Sequence, residues 1–202
     1  YYSDYQSIAS APNTPLYDRA FRGLYPPGSA YKPIVAVAGL QESIIDRYTT
    51  IFCKKKYTFY EDSQPSCMHY HGNVNVISAI SQSCNYFFFD VGRQVGITKL
   101  NQYSRNFGLG ELTGIETTES KGILAGPKYS ASVGKPWYAG LTLSAAIGQS
   151  DNSFTPLQLA VYTSTIANGG KRLKATLLNS VKSATTNEDV YKTEPQVVAE
   201  VG

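Results

Sequence analysis

Pro26-Pro27-Gly28-Ser29-Ala30-Tyr31-Lys32-Pro33 runs directly into the apolar stretch Ile34 to Leu40. Two prolines and a glycine force a turn, and a helix-compatible apolar segment follows. Ser29 is thereby placed at or near a helix N-terminus, where unpaired N–H groups and the positive dipole end favour developing negative charge. Lys32 lies three residues on and shares a helical face with Ser29. A serine hydroxyl becomes a useful nucleophile when a neighbouring base takes its proton, and a partly desolvated lysine can be that base. Pro33 removes one N–H from the first turn, which the helix must tolerate.

Alone, Ser-x-x-Lys equally describes a capped helix start with a solvated lysine. A second triplet, Ser83-Cys84-Asn85 within Ser81-Gln82-Ser83-Cys84-Asn85-Tyr86-Phe87-Phe88, changes the balance. Ser83 can extend the Ser29/Lys32 pair into a proton relay, and the Asn85 amide can hold a substrate amide.

With these motifs in this order, the chain resembles the transpeptidase domain of the penicillin-binding proteins, specifically the monofunctional class B branch. The likeness is carried by Gly23-Leu24-Tyr25-Pro26-Pro27-Gly28-Ser29 with Lys32, by Ser83-Cys84-Asn85-Tyr86-Phe87, and by Phe107-Gly108-Leu109-Gly110 with Thr113-Gly114-Ile115. It continues through Ala146-Ile147-Gly148-Gln149-Ser150, Thr155-Pro156-Leu157-Gln158-Leu159-Ala160 and Asn168-Gly169-Gly170. The resemblance implies an α+β fold of the penicillin-binding and serine β-lactamase type over residues 1–202, mostly its helical part with an incomplete antiparallel sheet. It implies a peptidoglycan D,D-transpeptidase in which Ser29 attacks the D-Ala-D-Ala carbonyl of a stem peptide. Lys32 would take the Ser29 proton, Ser83 would relay it to the leaving group, and Asn85 would orient the peptide. β-Lactams would acylate the same serine. A membrane glycosyltransferase partner and a place on the extracytoplasmic face of the bacterial membrane follow from the same likeness. A serine β-lactamase and a non-catalytic penicillin-binding sensor are the alternatives.

The family's third motif, Lys-Thr-Gly or Lys-Ser-Gly, is not in the sequence: Lys192-Thr193 precedes Glu194, and Lys121-Gly122 lacks the middle residue. The expectation is therefore a piece of a longer protein, weak or inactive as an enzyme by itself.

Of three cysteines and two histidines, Cys53, Cys67, His69 and His71 fall within one aperiodic stretch, Thr49 to Gly72. These are the ligand types of a closed structural Zn²⁺ site. In an extended chain Cys67, His69 and His71 point the same way, with the outer two roughly 13 Å apart at ~3.3 Å per residue, so the loop must bend. Gly72 makes that feasible. A Cys53–Cys67 disulfide and free thiols with ordinary histidines are the alternatives. Relatives that the chain resembles often keep a cysteine pair here without both histidines, and the histidines favour metal. A zinc-stabilised interaction module, with Ser29 and Lys32 incidental, is a further reading. Cys84 reads as a small packed hydrophobe.

The net charge of +3, with Lys54-Lys55-Lys56 as the longest basic run, gives nucleic-acid binding little support. No segment has the apolar length of a membrane span. Sixteen tyrosines suit either a peptide- and sugar-binding groove or half-buried packing. Helices are expected over Pro33 to Gln41, Asn73 to Ser81 (with Val76, Ile77 and Ile80 inward), Tyr86 to Gln94 and Ile97 to Phe107. Another begins at Thr155-Pro156 and carries Leu157, Leu159, Val161 and Ile166. A polar wrap over Tyr1 to Arg22, loops over Gly110 to Trp137, and strands at Arg172 to Val181 and Pro195 to Val201 complete the expectation.

Overall fold

The apolar run behind Ser29 becomes the central helix. The computed structural model describes residues 4–201, and in it a 3₁₀ turn, Gly28–Tyr31, leads into helix α2, Lys32–Gln41. Pro33 stands in the first turn of α2, where its missing N–H would have had no helical partner, so it costs nothing. Ile34, Val35, Ala36 and Ala38 are all buried. A helix apolar on every side belongs in the middle of a fold.

Before α2 lies a short helix α1, Tyr5–Ala9, in a mostly exposed polar segment; residues 1–3 of the expected polar wrap lie outside the described residues. After it, strands β1, Ile51–Cys53, and β2, Gly72–Val74, pair antiparallel, with Cys53 opposite Gly72. The aperiodic stretch is the long excursion between them. Helices α3, Val76–Ser81, α4, Asn85–Val95, and α5, Ile97–Asn106, follow; then come α6, Pro127–Ser132, α7, Ala139–Ala146, and α8, Pro156–Ala167. The C-terminal part holds strands β3, Lys171–Leu173, β4, Ser180–Lys182, β5, Asp189–Lys192, and β6, Val197–Glu200. Among the described residues these form three separate antiparallel ribbons, β1-β2, β3-β6 and β4-β5.

One core joins the helices: Tyr31, Ile34 and Val35 of the α2 region, Phe87, Phe88, Phe89 and Val91 of α4, Leu100 of α5 and Leu143 of α7. Each such fully buried side chain contributes about 1.5–3 kcal/mol. Helix α8 starts as expected, because Thr155 and Gln158 form a reciprocal capping box.

The structure differs from expectation in five places, the first being Asn73 and Val74, which belong to β2 because the Asn75 capping box starts α3 only at Val76. Ile77 and Ile80 are exposed at 60% and 45%, while Val76 and Ala79 turn inward, because α3 is one and a half turns long and packs by a narrow edge. In α8 the fully buried residues include Gln158 and Thr165, whereas Ile166 is exposed. Gln158 donates to the Glu111 and Lys121 carbonyls at 2.6 and 2.8 Å, so a polar side chain secures the neighbouring loop from inside. The expected single strand from Arg172 to Val181 is two strands in different ribbons. The expected loop after Gly110 contains α6, begun by Pro127 at a position that tolerates proline.

Candidate active site and thiol–imidazole cluster

Ser29, Lys32, Ser83 and Asn85 come together from four elements. Ser29 is exposed on the 3₁₀ turn, and Lys32 begins α2 with 2% of its surface accessible. Ser83 ends α3 in a Schellman arrangement: the Cys84 N–H donates to the Ala79 carbonyl at 2.9 Å and the Ser83 N–H to the Ile80 carbonyl at 3.1 Å. Glycine is the usual residue at that left-handed position, yet Ser83 has φ 52°. Holding a serine there costs roughly 1–3 kcal/mol, the kind of strain kept where a side chain must be aimed. Asn85 is the first residue of α4.

The Lys32 ammonium donates to Ser83 Oγ at 2.9 Å, the Ser83 carbonyl at 2.8 Å and Asn85 Oδ1 at 2.5 Å. Ser83 Oγ in turn donates to Ser29 Oγ at 2.9 Å. The hydrogen-bonded path from Ser29 to Lys32 thus runs through Ser83. Burial holds the Lys32 pKa below the ordinary lysine value, with the nearby Cys67 and Cys84 thiols acting in the opposite sense. The Phe88 ring lies 5.6 Å below the ammonium. Because Asn85 Oδ1 faces Lys32, its amide NH₂ remains to donate to a substrate carbonyl.

Beside this relay, Cys53, Cys67, His71 and Cys84 bring one ligand atom each to within 4.8 Å of all the others. His71 Nδ1 is 3.6 Å from Cys53 Sγ and 3.5 Å from Cys67 Sγ, and Cys67 Sγ is 4.0 Å from Cys84 Sγ. A tetrahedral zinc with bonds of about 2.3 Å to sulfur and about 2.0 Å to nitrogen places its ligands about 3.5–3.8 Å apart, which this donor set fits. The side chains that meet differ by one member from the group expected from sequence. His69 is exposed and stands outside the group, contributing its carbonyl to the Cys53 thiol at 3.6 Å. Cys84, read from sequence as packing, is fully buried, and its thiol also joins the group. The reason is tertiary: Cys84 sits at the N-cap of α4, beneath the base of the β1-β2 excursion.

Burial raises the Cys67 thiol pKa, but the Tyr86, His69 and Asn85 N–H groups outweigh it, and the net shift is downward. The Cys84 thiol is pushed up to about 12, chiefly by burial.

This fold, with Ser29, Lys32, Ser83 and Asn85 gathered at one place, defines the class of protein to which the chain belongs. The family model described as "Penicillin binding protein transpeptidase domain" matches residues 2–201, and the chain belongs to that family. It is 37% identical over 188 residues to the peptidoglycan D,D-transpeptidase MrdA of Acinetobacter baumannii, covering 91% of this chain and 28% of that protein's length. A crystal structure of Pseudomonas aeruginosa PBP2 in complex with WCK 5153 superposes with a TM-score of 0.82 at 29% identity, covering 96% of this chain and 46% of that one. The Helicobacter pylori PBP2 complex with MreC gives 0.80 at 29% identity over 92% of this chain and 34% of that one.

Proposed function

We propose that this chain carries the acyl-transfer centre of a peptidoglycan D,D-transpeptidase. The observation that supports it is the continuous hydrogen-bonded path from Lys32 through Ser83 to Ser29. Ser29 Oγ attacks the carbonyl of the D-Ala-D-Ala bond as its proton passes to Ser83 and that of Ser83 to Lys32. The Ser29 N–H at the head of the turn is one donor to the tetrahedral oxyanion. As the intermediate collapses, the proton returns along the path to the departing D-alanine nitrogen. An amine of a second stem peptide then attacks the acyl-enzyme and restores Ser29. Asn85 holds the donor peptide. A β-lactam enters the same path, except that its opened ring stays attached and the acyl-enzyme persists.

Stem peptides and β-lactams are accordingly the ligands of this reading. A membrane glycosyltransferase is its partner, and the extracytoplasmic face of the bacterial membrane is its location. No helix among the described residues is long and apolar enough to cross a membrane. We also propose that Cys53, Cys67, His71 and Cys84 hold one structural Zn²⁺. When bound, the metal supplies cross-linking of the excursion to the start of α4; the proton path needs none of its chemistry.

Intact mass after incubation with a penicillin tests the main reading. One long-lived adduct mapping to Ser29, and missing in Ser29→Ala, is expected. An adduct that survives Ser29→Ala overturns the assignment, and rapid turnover of the penicillin would indicate a β-lactamase instead.

A further inference from the structure

We infer that helix α7 is a spacer that sets the distance between Ser29 and Ser83, with Gly148 and Gly92 as its positioning residues. The inference rests on the acyl-transfer reading of Ser29 and goes beyond it, because neither glycine touches substrate.

Two close approaches carry it. At its C-terminal end α7 closes in a Schellman turn: the Gln149 N–H donates to the Ser144 carbonyl and the Gly148 N–H to the Ala145 carbonyl, both at 3.0 Å. Gly148 takes the left-handed position, φ 72°. Its carbonyl accepts the Gly28 N–H at 2.9 Å, immediately before the nucleophile. A Cβ on Gly148 would run into the Gly28 carbonyl oxygen and lie 2.8 Å from Tyr31 Cβ. The obstacle is backbone, which cannot swing aside. At that same end, the last residue of α7, Ala146, lies against α4. There a Cβ on Gly92 would run into the Ala146 Cβ and reach within 3.7 Å of Leu100.

The C-terminal end of α7 is therefore held between two neighbours, the Ser29 turn on one side and α4 on the other. Gly148 seats the Ser29 turn on the end of α7, and Gly92 seats α4 on its side. Helix α4 begins at Asn85, directly after Ser83 and Cys84. The Ser83 Oγ–Ser29 Oγ separation of 2.9 Å spans these two rigid bodies. The Ser29 turn is also held from elsewhere, by Tyr162 donating to the Ala30 carbonyl at 2.9 Å and by the Tyr31–Ser104 hydroxyl pair at 2.6 Å. It therefore has little freedom to follow a displaced α4.

Gly92→Ala in the full-length protein is the main test, since alanine is the better helix former and any loss must come from packing. Expected is a fall of about 10²-fold in the acylation rate constant at saturating β-lactam, per folded molecule, with the dissociation constant of the non-covalent complex changed by less than about threefold. Ala146→Gly in the same chain removes the opposing Cβ and should restore the rate. Gly148→Ala should show the same split between rate and affinity; if it does not fold, the Gly92/Ala146 pair decides alone. A wild-type rate per folded Gly92→Ala molecule overturns the inference, as does an Ala146→Gly variant that restores the melting temperature but not the rate. Adduct mapping in the same samples separates the two readings. Ser29 acylated at unchanged speed overturns the spacer alone, whereas acylation elsewhere overturns the assignment of Ser29.

Discussion

Lys32 is a buried cation whose environment pulls in two directions. The three protons of an ammonium are fully used on Ser83 and Asn85, so the geometry describes the charged form. Burial nevertheless favours the neutral amine. A base must first give up a proton, and the lowered pKa makes that possible below the ordinary lysine range. The acylation rate should therefore rise with pH, with its half-point below 10.5. Lys32→Arg, whose guanidinium stays charged at all accessible pH, should be slow and show no such rise. Stability follows the same sign. Between the lowered folded-state value and 10.5 the unfolded chain binds more protons, so stability gains with rising pH in that window. Denaturant unfolding of wild type against Lys32→Met should show the gap narrowing as pH rises; a gap that widens would mean Lys32 is stabilised as a cation.

Among the elements, the β1-β2 excursion shows what a linear reading could and could not reach. The candidate relay residues were legible because Ser29 and Lys32 flank one turn-to-helix junction and Ser83 and Asn85 flank another. Their joining required only that two motifs meet. The sequence grouped Cys53, Cys67, His69 and His71 by closeness along the chain, whereas the fold gathers the side chains of Cys53, Cys67, His71 and Cys84. Nothing in the local pattern said that Cys84 would stand under the loop, since that depends on the packing of α4. Likewise Ile77 and Ile80 promised a buried face that six residues of α3 do not make, and Gln158 is buried for a loop that only the fold brings near. Two anchors hold the excursion. Tyr57 donates to Asp90 at 2.7 Å and accepts from Arg93 at 2.9 Å, and at its base the Cys53 thiol donates to the His69 carbonyl at 3.6 Å. Zinc should copurify at about one per chain. Cys84→Ala and His71→Ala should both lose it, while His69→Ala keeps it; chelation should lower the melting temperature before acylation fails. Elemental analysis gives the answer directly, and zinc retained in Cys84→Ala would return the ligand set to the one expected from sequence.

Across the whole molecule, burial is uneven. Helices α2 and α4 carry side chains with no accessible surface, such as Ile34, Val35, Phe87 and Phe88. The β4-β5 ribbon has no buried residue, and Val181, Val190 and Tyr191 are exposed at 43%, 66% and 50%. Two strands without a buried face are marginal in water, because hydrogen bonds that replace bonds to solvent contribute little net stability. The β3-β6 ribbon is better placed. Its Val201 N–H donates to the Gly170 carbonyl at 2.8 Å, and Arg172 donates to the Arg105 carbonyl at 2.9 Å, joining it to the ends of α8 and α5. Local opening should therefore follow burial, from β4-β5 through β3-β6 to the α2-α4 core. In native-state hydrogen exchange of this chain, amides of Ser180–Lys182 and Asp189–Lys192 should exchange with almost no protection. Those of Val35 to Gly39 and Phe88 to Val91 should exchange only on global unfolding, at least about 10³-fold more slowly for a domain of ordinary stability. Equal protection of the β4-β5 ribbon and α2 would show that the ribbon is held by cohesion other than side-chain burial. The relay would keep its geometry while the ribbon opens, since Ser29, Lys32, Ser83 and Asn85 all stand on elements bound to the core and none on β4 or β5.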